Sequence, residues 1–488
     1  ISGEAAPQFQ DGAFKVNLPT KTGYWSIFGI GGYNSVVDNS KDKQEKVRSK
    51  YTGSSGMYLS GIRNVSQLSD KQSLENSIAY SGTFGRGKEF SNPQSADSAL
   101  LKTYENNNQQ TFLRYSSTLM GKVNAANNYR AGIIISQLGY NINQSSLDYD
   151  TKIYGTNYKR SGSTQMYQAF AGWQNRPSEN VTINGGFHYT HFALNGQNIL
   201  EPRLGVSWQV NPRHTLTFAN GLHSRADAIS VYFAEVTDAN GNKTTPNKNL
   251  KIQRNFHSVI GHQFALADGL NLKTEAYFQY IYDAATGTDT NTYYSLLNEV
   301  DIFSVNRLEN KGKGRNYGVD INIDRNFGNG FYMMFSQSLF RSEYKNPGYA
   351  WKASRYDNKF VSNLVAGKEW KLKNKGKKER TLQANFRAVY MGGVVYTPLN
   401  REASAANDNS VYDTKAYNSK RAPNIARIDF SIGIRKNRER STHTLKLDIL
   451  NVLNQTPTLG EYYDIYNDKV DKPFGLGILP NLLYRIEF

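Results

Sequence analysis

Histidine pairs are the residues of this sequence with the clearest capacity for metal binding or acid–base chemistry. His188 and His191 are three residues apart, and His257 and His262 are five residues apart. An odd spacing on a β-strand places two side chains on opposite faces, so neither pair can hold one ion there. The sequence of 488 residues also has no Cys, which excludes disulfides, thiol catalysis and Cys-ligated metal. We therefore predict that the chain has no metal site.

Motifs that bind phosphate groups or supply a nucleophile are incomplete or absent. Gly312–Arg315 is a basic run with two glycines, but it lacks the spacing of a phosphate-binding loop. Gly29, Gly31 and Gly32 are not followed by a helical pattern, which a dinucleotide-binding fingerprint requires. No Gly-x-Ser-x-Gly nucleophile elbow occurs. We predict a protein without a cofactor.

Asp320 and Asp324 are the carboxylates whose spacing comes nearest to that of a catalytic pair. At positions i and i+4 of a strand, both side chains lie on the same face. The alternative is that they pair with basic residues of a polar barrel interior, or with a segment that fills it. We favour this alternative because a plugged or water-filled barrel needs a charged interior, to which Arg387 would also contribute. The chain is thus predicted not to be an enzyme.

Strands with one apolar and one polar face must position these side chains. About nineteen segments alternate with a period of two, at lengths close to the roughly 9–11 residues of a membrane-spanning strand. The apolar residues expected to face lipid include Ile428, Phe430, Ile432, Leu204, Val206, Trp208 and Phe278. The polar residues expected to face the interior include Asp429, Arg387, Asn385, Asp320 and Arg485.

The connections between these segments alternate between short and long. The short turns lie near Thr20–Gly23, Ser69–Lys71, Asn124–Asn128, Arg176–Asn180, Asn211–His214, Ala267–Gly269, Asn326–Gly330, Lys371–Arg380 and Asn437–Ser441. The long connections are Val37–Ser55, Lys88–Gln110, Asn143–Thr164, Ala193–Leu200, Ala226–Asn249, Asp283–Gly312, Ser342–Asp357, Thr397–Pro423 and Asn454–Gly475. Strict alternation is typical of an up-and-down barrel with short periplasmic turns and long extracellular loops. We therefore predict an all-β, antiparallel transmembrane barrel that occupies residues 1–488.

Composition agrees with a barrel and disfavours other classes. Charged residues make up 20% of the chain and aromatic residues 13%, and the mean hydropathy is -0.62. No apolar run approaches the roughly 18 residues that a membrane-spanning helix needs. The net charge of +17 is spread over strands and loops, so nucleic acid is not expected as a partner. We favour a solvated basic surface as the explanation of this charge, and anionic lipid head groups or an anionic ligand are the alternatives.

The number of strands bears on whether the chain closes a barrel. If the long connections are extracellular, the last strand ends at Phe488 in the periplasm, and the first strand, near Gly12–Pro19, also runs downward. An odd count of about nineteen conflicts with the even counts of bacterial single-chain barrels. We therefore expect that the chain does not close a barrel alone, and that N-terminal strands are missing from it.

Short motifs occur along the chain in an order that is recognisable. They are Phe14–Pro19 with Ser26–Gly32, Glu201–Gly205 with Gly221–Arg225 and Tyr232-Phe233, Tyr294–Asn298 with Asn310–Gly318, and Arg427–Asp429 with Leu447–Asn454 and Pro480–Phe488. In this order they resemble the barrels of TonB-dependent receptors of the Bacteroidota. The resemblance covers nearly the whole chain and implies a 22-stranded barrel, an N-terminal plug segment, a TonB-type energising protein and an outer-membrane location. A surface lipoprotein is a further partner that the resemblance allows.

Candidate binding residues come from the loops and from the interior. Tyr combines a large contact area with a polar tip, and it loses little conformational entropy on binding. The candidates are Tyr154, Tyr158, Tyr293, Tyr294, Trp351 and Tyr396 in extracellular loops, and Arg387 and Asp320 in the interior. Packing of loops, or a place in an interfacial aromatic girdle, is the alternative for each aromatic residue. Tyr484, Ile486 and Phe488 form a lipid-facing strand end that resembles the C-terminal insertion signal of outer-membrane barrels.

Three functions remain open at this point. The sequence favours a receptor that binds a ligand at its loops and interior and transports it into the periplasm. A porin-like passive barrel and a structural or surface-binding barrel within a larger complex are the alternatives.

Overall fold

The computed structural model describes most of the chain. The described residues are 7–41, 47–91, 99–148, 153–237, 241–288, 293–299, 307–372, 379–407, 409–458, 460–464, 468–472, 475 and 477–488.

Long β-strands dominate these residues and form one antiparallel sheet of 20 strands. Nineteen of them are long: β1 (Gln8–Thr20), β2 (Gly23–Lys41), β3 (Val47–Ser69), β4 (Gln72–Ser91), β5 (Leu101–Asn124), β6 (Asn127–Leu147), β7 (Tyr154–Ser178), β8 (Val181–Phe192), β9 (Gln197–Asn211), β10 (His214–Arg225), β13 (Gln253–Ala267), β14 (Leu270–Gly287), β15 (Leu308–Gly328), β16 (Phe331–Lys345), β18 (Phe360–Leu372), β19 (Arg380–Met391), β22 (Ile425–Asn437), β23 (Thr442–Leu450) and β26 (Leu479–Glu487).

Short elements occupy the connections. They are the strands β11 (Val236–Thr237), β12 (Lys243–Thr244), β17 (Lys352–Ala353), β20 (Val395–Tyr396), β21 (Lys420–Arg421), β24 (Tyr462–Asp464) and β25 (Lys469–Asp471), the α-helices α1 (Ile229–Tyr232) and α2 (Arg401–Ala406), and the 3-10 turns Pro246–Asn249 and Thr414–Ala416. The longest helix in the described ranges has six residues. Within these ranges no helix has the length and apolar character needed to cross a membrane.

Each long strand pairs with the next long strand along the chain, which is up-and-down topology. β1 pairs with β2 at one end of the series and β26 pairs with β23 at the other. Among the described residues the sheet contains no pairing between β1 and β26. The all-β antiparallel barrel prediction is confirmed, including its nineteen long strands.

The predicted short turns lie between paired strands, and residues 373–378 of the predicted turn Lys371–Arg380 lie outside the described residues. In the turn between β15 and β16, the two central residues Asn329 and Gly330 have φ angles of 52° and 74°. Positive φ at both central residues matches the right-handed twist of the flanking strands, and Asn and Gly adopt it at low cost.

Three of the predicted long connections are mostly strand, which corrects their boundaries. β2 to β7 are 19 to 25 residues long, so strand structure covers much of 37–55, 88–110 and 143–164. Their polar residues continue to pair across the sheet, as Lys88 and Glu105 do at 3.2 Å. Alternating apolar faces are needed only in lipid, whereas backbone pairing can continue into water. Tyr154 and Tyr158 therefore lie on β7, not in a loop.

The two faces of the sheet follow the predicted register. On the outer face Leu204, Trp208, Phe278, Phe430 and Ile432 have large exposed side chains, and Val206 and Ile428 share that face through their pairing.

The opposite, inner face carries the predicted polar residues. Asp429 is 8% exposed and accepts a hydrogen bond from Arg427 at 2.7 Å. Asp429 pairs with Arg387 in the ladder, and Arg485 joins the same face through Thr444. Asp320 lines an inner cavity with Glu275. The inward assignment of these residues is confirmed.

The connection between β10 and β13 folds into the barrel interior and forms a small apolar core. All four residues of α1 are buried, and Tyr232 is fully buried against Phe192 of β8, with ring centroids 5.3 Å apart. Phe233 stacks on Tyr140 of β6 at 5.0 Å. An ion pair of 2.7 Å between Arg160 of β7 and Glu235 also ties the connection to the wall.

Candidate functional site

Three cavities lie along the inner face of the sheet and share walls. The turn-side cavity, of about 1070 Å³, is lined by Asp70 and Lys71 of a short turn. The connection-side cavity, of about 430 Å³, is lined by Leu297 and Ser354 of two long connections. A middle cavity has a volume of about 570 Å³.

Shared lining residues join these cavities into one series. His223 and His257 line both the turn-side and the connection-side cavity. Asn316, Ser342 and Tyr356 line both the connection-side and the middle cavity. The inner face therefore offers adjacent spaces from the long connections towards the short turns.

Glycines contribute to the wall of the turn-side cavity. Gly172, Gly186 and Gly221 lie in one ladder on β7, β8 and β10, with Arg203 of β9 between Gly186 and Gly221. A Cβ built on Gly172 would meet no atom closer than 3.8 Å, so open space lies above it. Arg130 and Arg203 are among the basic residues that line this cavity.

Ion pairs link the charged groups beside the connection-side cavity. The Glu343 carboxylate lies 2.7 Å from Arg315 and 3.4 Å from Arg341. Asp357 is fully buried, and its carboxylate lies 3.2 Å from Arg341 and 2.8 Å from Arg421. Each of the two carboxylates therefore has a guanidinium partner, and the three guanidinium groups leave one positive charge in excess.

An aromatic cluster lies in the long connections that follow β14, β16 and β19. The rings of Tyr293 and Tyr349 are 4.3 Å apart, Tyr417 lies 6.2 Å from Tyr293, and Lys352 Nζ is 3.6 Å from the Tyr293 ring centroid. Burial raises the pKa of Tyr417 to about 12. Its hydroxyl therefore stays protonated at neutral pH and can donate a hydrogen bond.

The structure brings three of the candidate binding residues close together. Tyr293 belongs to the aromatic cluster, and the Tyr294 carbonyl accepts a hydrogen bond from Asn346 at 2.9 Å. Trp351 lies under the guanidinium of Arg315, with 4.3 Å to the ring centroid. None of these three residues lines one of the three cavities.

The other candidates lie apart. Tyr154 packs against Lys102 at 4.4 Å, and the Tyr396 hydroxyl lies 3.2 Å from Glu461 Oε1. Arg387 Nη1 is 3.9 Å from Asp429, and Asp320 lies in the middle cavity. Tyr158 pairs through its backbone with Gln144, and its side chain is outside the described residues.

The residues where the cavities meet are not among the candidates predicted from the sequence. Asn316 and Gln279 are adjacent on the inner face of β15 and β14, and strand alternation could have identified both. Tyr356 lies in the connection between β17 and β18, and no sequence periodicity marks its position.

The C-terminal residues lie on the outer face. The Tyr484 hydroxyl and His443 Nδ1 are 2.9 Å apart, and Ile486 and Phe488 are exposed. This placement agrees with a lipid-facing strand end. Their role as an insertion signal stays a prediction.

Metal binding was not expected, and the described ranges contain no group of three or more His, Asp or Glu side chains that could hold an ion.

Solved structures with a similar fold include outer-membrane transporters and receptors. The outer membrane transporter YddB from Escherichia coli superposes with a TM-score of 0.68 at 11% identity, covering 98% of this chain and 68% of YddB. The ferric preacinetobactin receptor BauA from Acinetobacter baumannii gives 0.67 at 10% identity, with coverages of 99% and 72%. The ferric yersiniabactin uptake receptor FyuA from Yersinia pestis gives 0.66 at 12% identity, with coverages of 99% and 71%. At such identities the likeness shows the fold alone.

Sequence comparison is consistent with this fold. No curated protein matches the chain. The model of the family described as TonB dependent receptor-like, beta-barrel matches residues 5–454. With that match over most of its length, and with the strand order described above, the chain belongs to the TonB-dependent receptor-like β-barrel family.

Proposed function

We propose that this chain is the barrel of a receptor that takes up a ligand at the outer surface of a bacterial outer membrane and releases it into the periplasm. The series of cavities along the inner face is the observation that carries this proposal. Its connection-side end is lined by Leu297 and Ser354 of two long connections, and its other end by Asp70 and Lys71 of a short turn. A purely structural barrel has no need of such a series.

We infer the orientation from the lengths of the connections. The long connections face outward and the short turns face the periplasm, so the C-terminus at Phe488 is periplasmic. The motifs that resemble receptors of the Bacteroidota support an origin in that group.

A plug segment and further strands are part of the proposal. β1 and β26 each have one unpaired edge among the described residues. Unpaired backbone groups in hydrocarbon cost several kcal/mol each, and nineteen alternating strands leave the two edge strands running in the same direction. About three additional strands would close an even, antiparallel barrel of the 22-stranded type. A plug within it would transmit the action of a TonB-type protein, and a surface lipoprotein would assist capture.

Energy dependence of transport tests this function. The native protein in its own outer membrane would be assayed for uptake of a panel of ferric chelates, cobalamin and oligosaccharides, with a deletion strain as the control. We expect uptake of at least one probe that requires the chain and stops when the proton gradient is collapsed.

A passive barrel would give a different result. Purified protein in liposomes would then let small sugars through without an energised partner, and uptake in cells would persist after collapse of the gradient. That outcome would replace the receptor with a porin-like function.

A further inference from the structure

We propose that Tyr356 and the polar groups around it form a binding subsite for an uncharged, hydroxyl-rich ligand, which is a carbohydrate. The proposal rests on the receptor function and names the class of ligand that the cavity series accepts. The subsite lies where the connection-side and middle cavities meet. Of the binding residues predicted from the sequence, only Asp320 lines either cavity.

An exposed aromatic ring at this junction is the first observation. Tyr356 is 52% exposed although it lies inside the barrel wall, and it lines both cavities. An aromatic face can cover the C–H face of a sugar ring, while the phenolic hydroxyl bonds to a sugar hydroxyl.

Hydrogen bonds to neighbouring groups hold the backbone at Tyr356, so the position of its ring is set before a ligand binds. The Tyr356 amide donates to Ser354 Oγ at 3.2 Å, and that hydroxyl lies 2.7 Å from Ser342 Oγ. The preceding amide, of Arg355, donates to Asn298 Oδ1 at 3.1 Å. A binding group that is ordered before the ligand arrives loses less entropy on binding.

Neutral hydrogen-bonding groups surround the ring. Asn316 donates to Gln279 Oε1 at 3.1 Å, which orients both amides and leaves each with unused donor or acceptor capacity. Ser342 and Tyr277 add hydroxyl groups to the same lining. Amides and hydroxyls are suited to adjacent sugar hydroxyls because each can donate and accept.

The local charge of the middle cavity argues against an anionic ligand there, despite the net charge of +17 for the chain. Asp320 and Glu275 both line this cavity, and the buried Asp320 Oδ1 has no hydrogen-bond partner in the described part of the chain. The carboxylate of Glu275 is paired with Lys273 at 2.8 Å. The Asp320 carboxylate would repel an anion.

Two cations beside the connection-side cavity are paired with a carboxylate, since Arg315 and Arg341 bind Glu343. Arg225 also lines this cavity. Volumes of about 430 and 570 Å³ fall within the range of small-ligand sites, about 300–1,000 Å³.

The experiment measures glycan binding by the purified native protein in detergent. An array that contains neutral, uronic-acid and sulfated oligosaccharides identifies a binder, and titration calorimetry then gives its Kd. We expect a neutral oligosaccharide to bind, Tyr356→Ala to weaken binding at least tenfold, and Tyr356→Phe to stay within a few-fold of the parent. Asn316→Ala should also weaken binding.

Tyr412→Ala is the matched control, because Tyr412 is an exposed tyrosine in a connection and does not line either cavity. Its binding should equal that of the parent protein. The proposal is overturned if only acidic glycans bind, if no glycan binds, or if Tyr356→Ala has no effect. Energised uptake of a ferric chelate without glycan binding would overturn this subsite while the receptor function stands. Glycan binding with passive, gradient-independent entry would overturn the receptor function alone.

Discussion

Asp357 shows how one residue can hold several connections together. Its carboxylate accepts a hydrogen bond from the Ser342 amide at 2.9 Å and pairs with Arg341 and Arg421, which reach it from β16 and β21. It is fully buried. A buried charge with several partners is costly to remove because the partners keep their charges.

Replacing Asp357 by Asn should destabilise the connections beside the cavities. We expect a loss on the order of 3 kcal/mol, since two guanidinium groups lose their buried counter-charge. Thermal unfolding in detergent and protease sensitivity of the β16–β18 connection would measure it. Asp471→Asn removes the carboxylate from the more exposed pair with Lys469 and should change little. Equal stability of the two variants would contradict this role.

The environment of Asp227 predicts that the local stability of the connection between β10 and β13 depends on pH. Burial raises the pKa of Asp227 from 3.8 to about 6, and Oδ2 has no hydrogen-bond partner in the described residues. Because the folded state holds the proton more tightly than the unfolded state, local stability should fall as pH rises from about 4 to about 6. It should then stay low above that range.

Hydrogen exchange of residues 226–234, corrected for intrinsic rates, would measure this change. Asp227→Asn should stay protected across the range, because its side chain cannot ionise. A parent protein with constant protection from pH 4 to pH 8 would refute the expectation.

At the scale of elements, local residue preferences determine the conformation of a turn more strongly than the length of a strand. The turn at Asn329–Gly330 needs positive φ, and Gly330 also lies against β18. Strand length has no such local determinant, and β2 to β7 therefore extend beyond the boundaries that apolar alternation predicted.

Two glycine substitutions should separate backbone strain from steric conflict. Gly196 and Gly330 have φ angles of 70° and 74°. A Cβ at Gly196 would meet nothing within 4 Å, whereas at Gly330 it would lie 2.4 Å from the Glu369 carbonyl oxygen. Gly196→Ala should therefore cost about 1 kcal/mol from the left-handed backbone alone, and Gly330→Ala clearly more. The stabilities of the two variants would be ranked by their unfolding temperatures and by the heat-dependent change of their mobility on gels. A lower stability of Gly196→Ala than of Gly330→Ala would contradict the argument.

At the scale of the whole molecule, the barrel separates an apolar outer face from a polar inner face. Phe187 and Asn184 show this on one strand, β8, because their spacing of three residues puts the side chains on opposite faces. Phe187 is exposed on the outer face, and Asn184 accepts a hydrogen bond from Gln174 at 3.0 Å on the inner face. Lipid and water meet the two sides of the same backbone.

Substitution by arginine should destabilise the protein on the outer face of β8 and should be tolerated on its inner face. Phe187→Arg puts a charge into lipid and should cost roughly 2–4 kcal/mol near the midplane. Asn184→Arg adds a charge to a polar cavity and should be tolerated. The amount of folded protein in the outer membrane measures both. Equal assembly of the two variants would show that the faces are assigned incorrectly.

The amino-acid sequence by itself determined the fold class, the face of each strand and the short turns. The alternation of Asp429 with Phe430 is a local property that any membrane-spanning strand must satisfy, because one side meets lipid. Turn residues such as Asn329 and Gly330 act through their own backbone preferences. These features need no knowledge of distant contacts.

Tertiary structure decided which distant residues meet. Tyr356, Asn316 and Gln279 come together only when β14, β15 and a later connection are in register, and no periodicity encodes that meeting. The inward fold of α1 likewise depends on contacts with β6 and β8. The lengths of β2 to β7 were also decided this way, because hydrogen bonding between neighbouring strands continues in water after the need for an apolar face has ended.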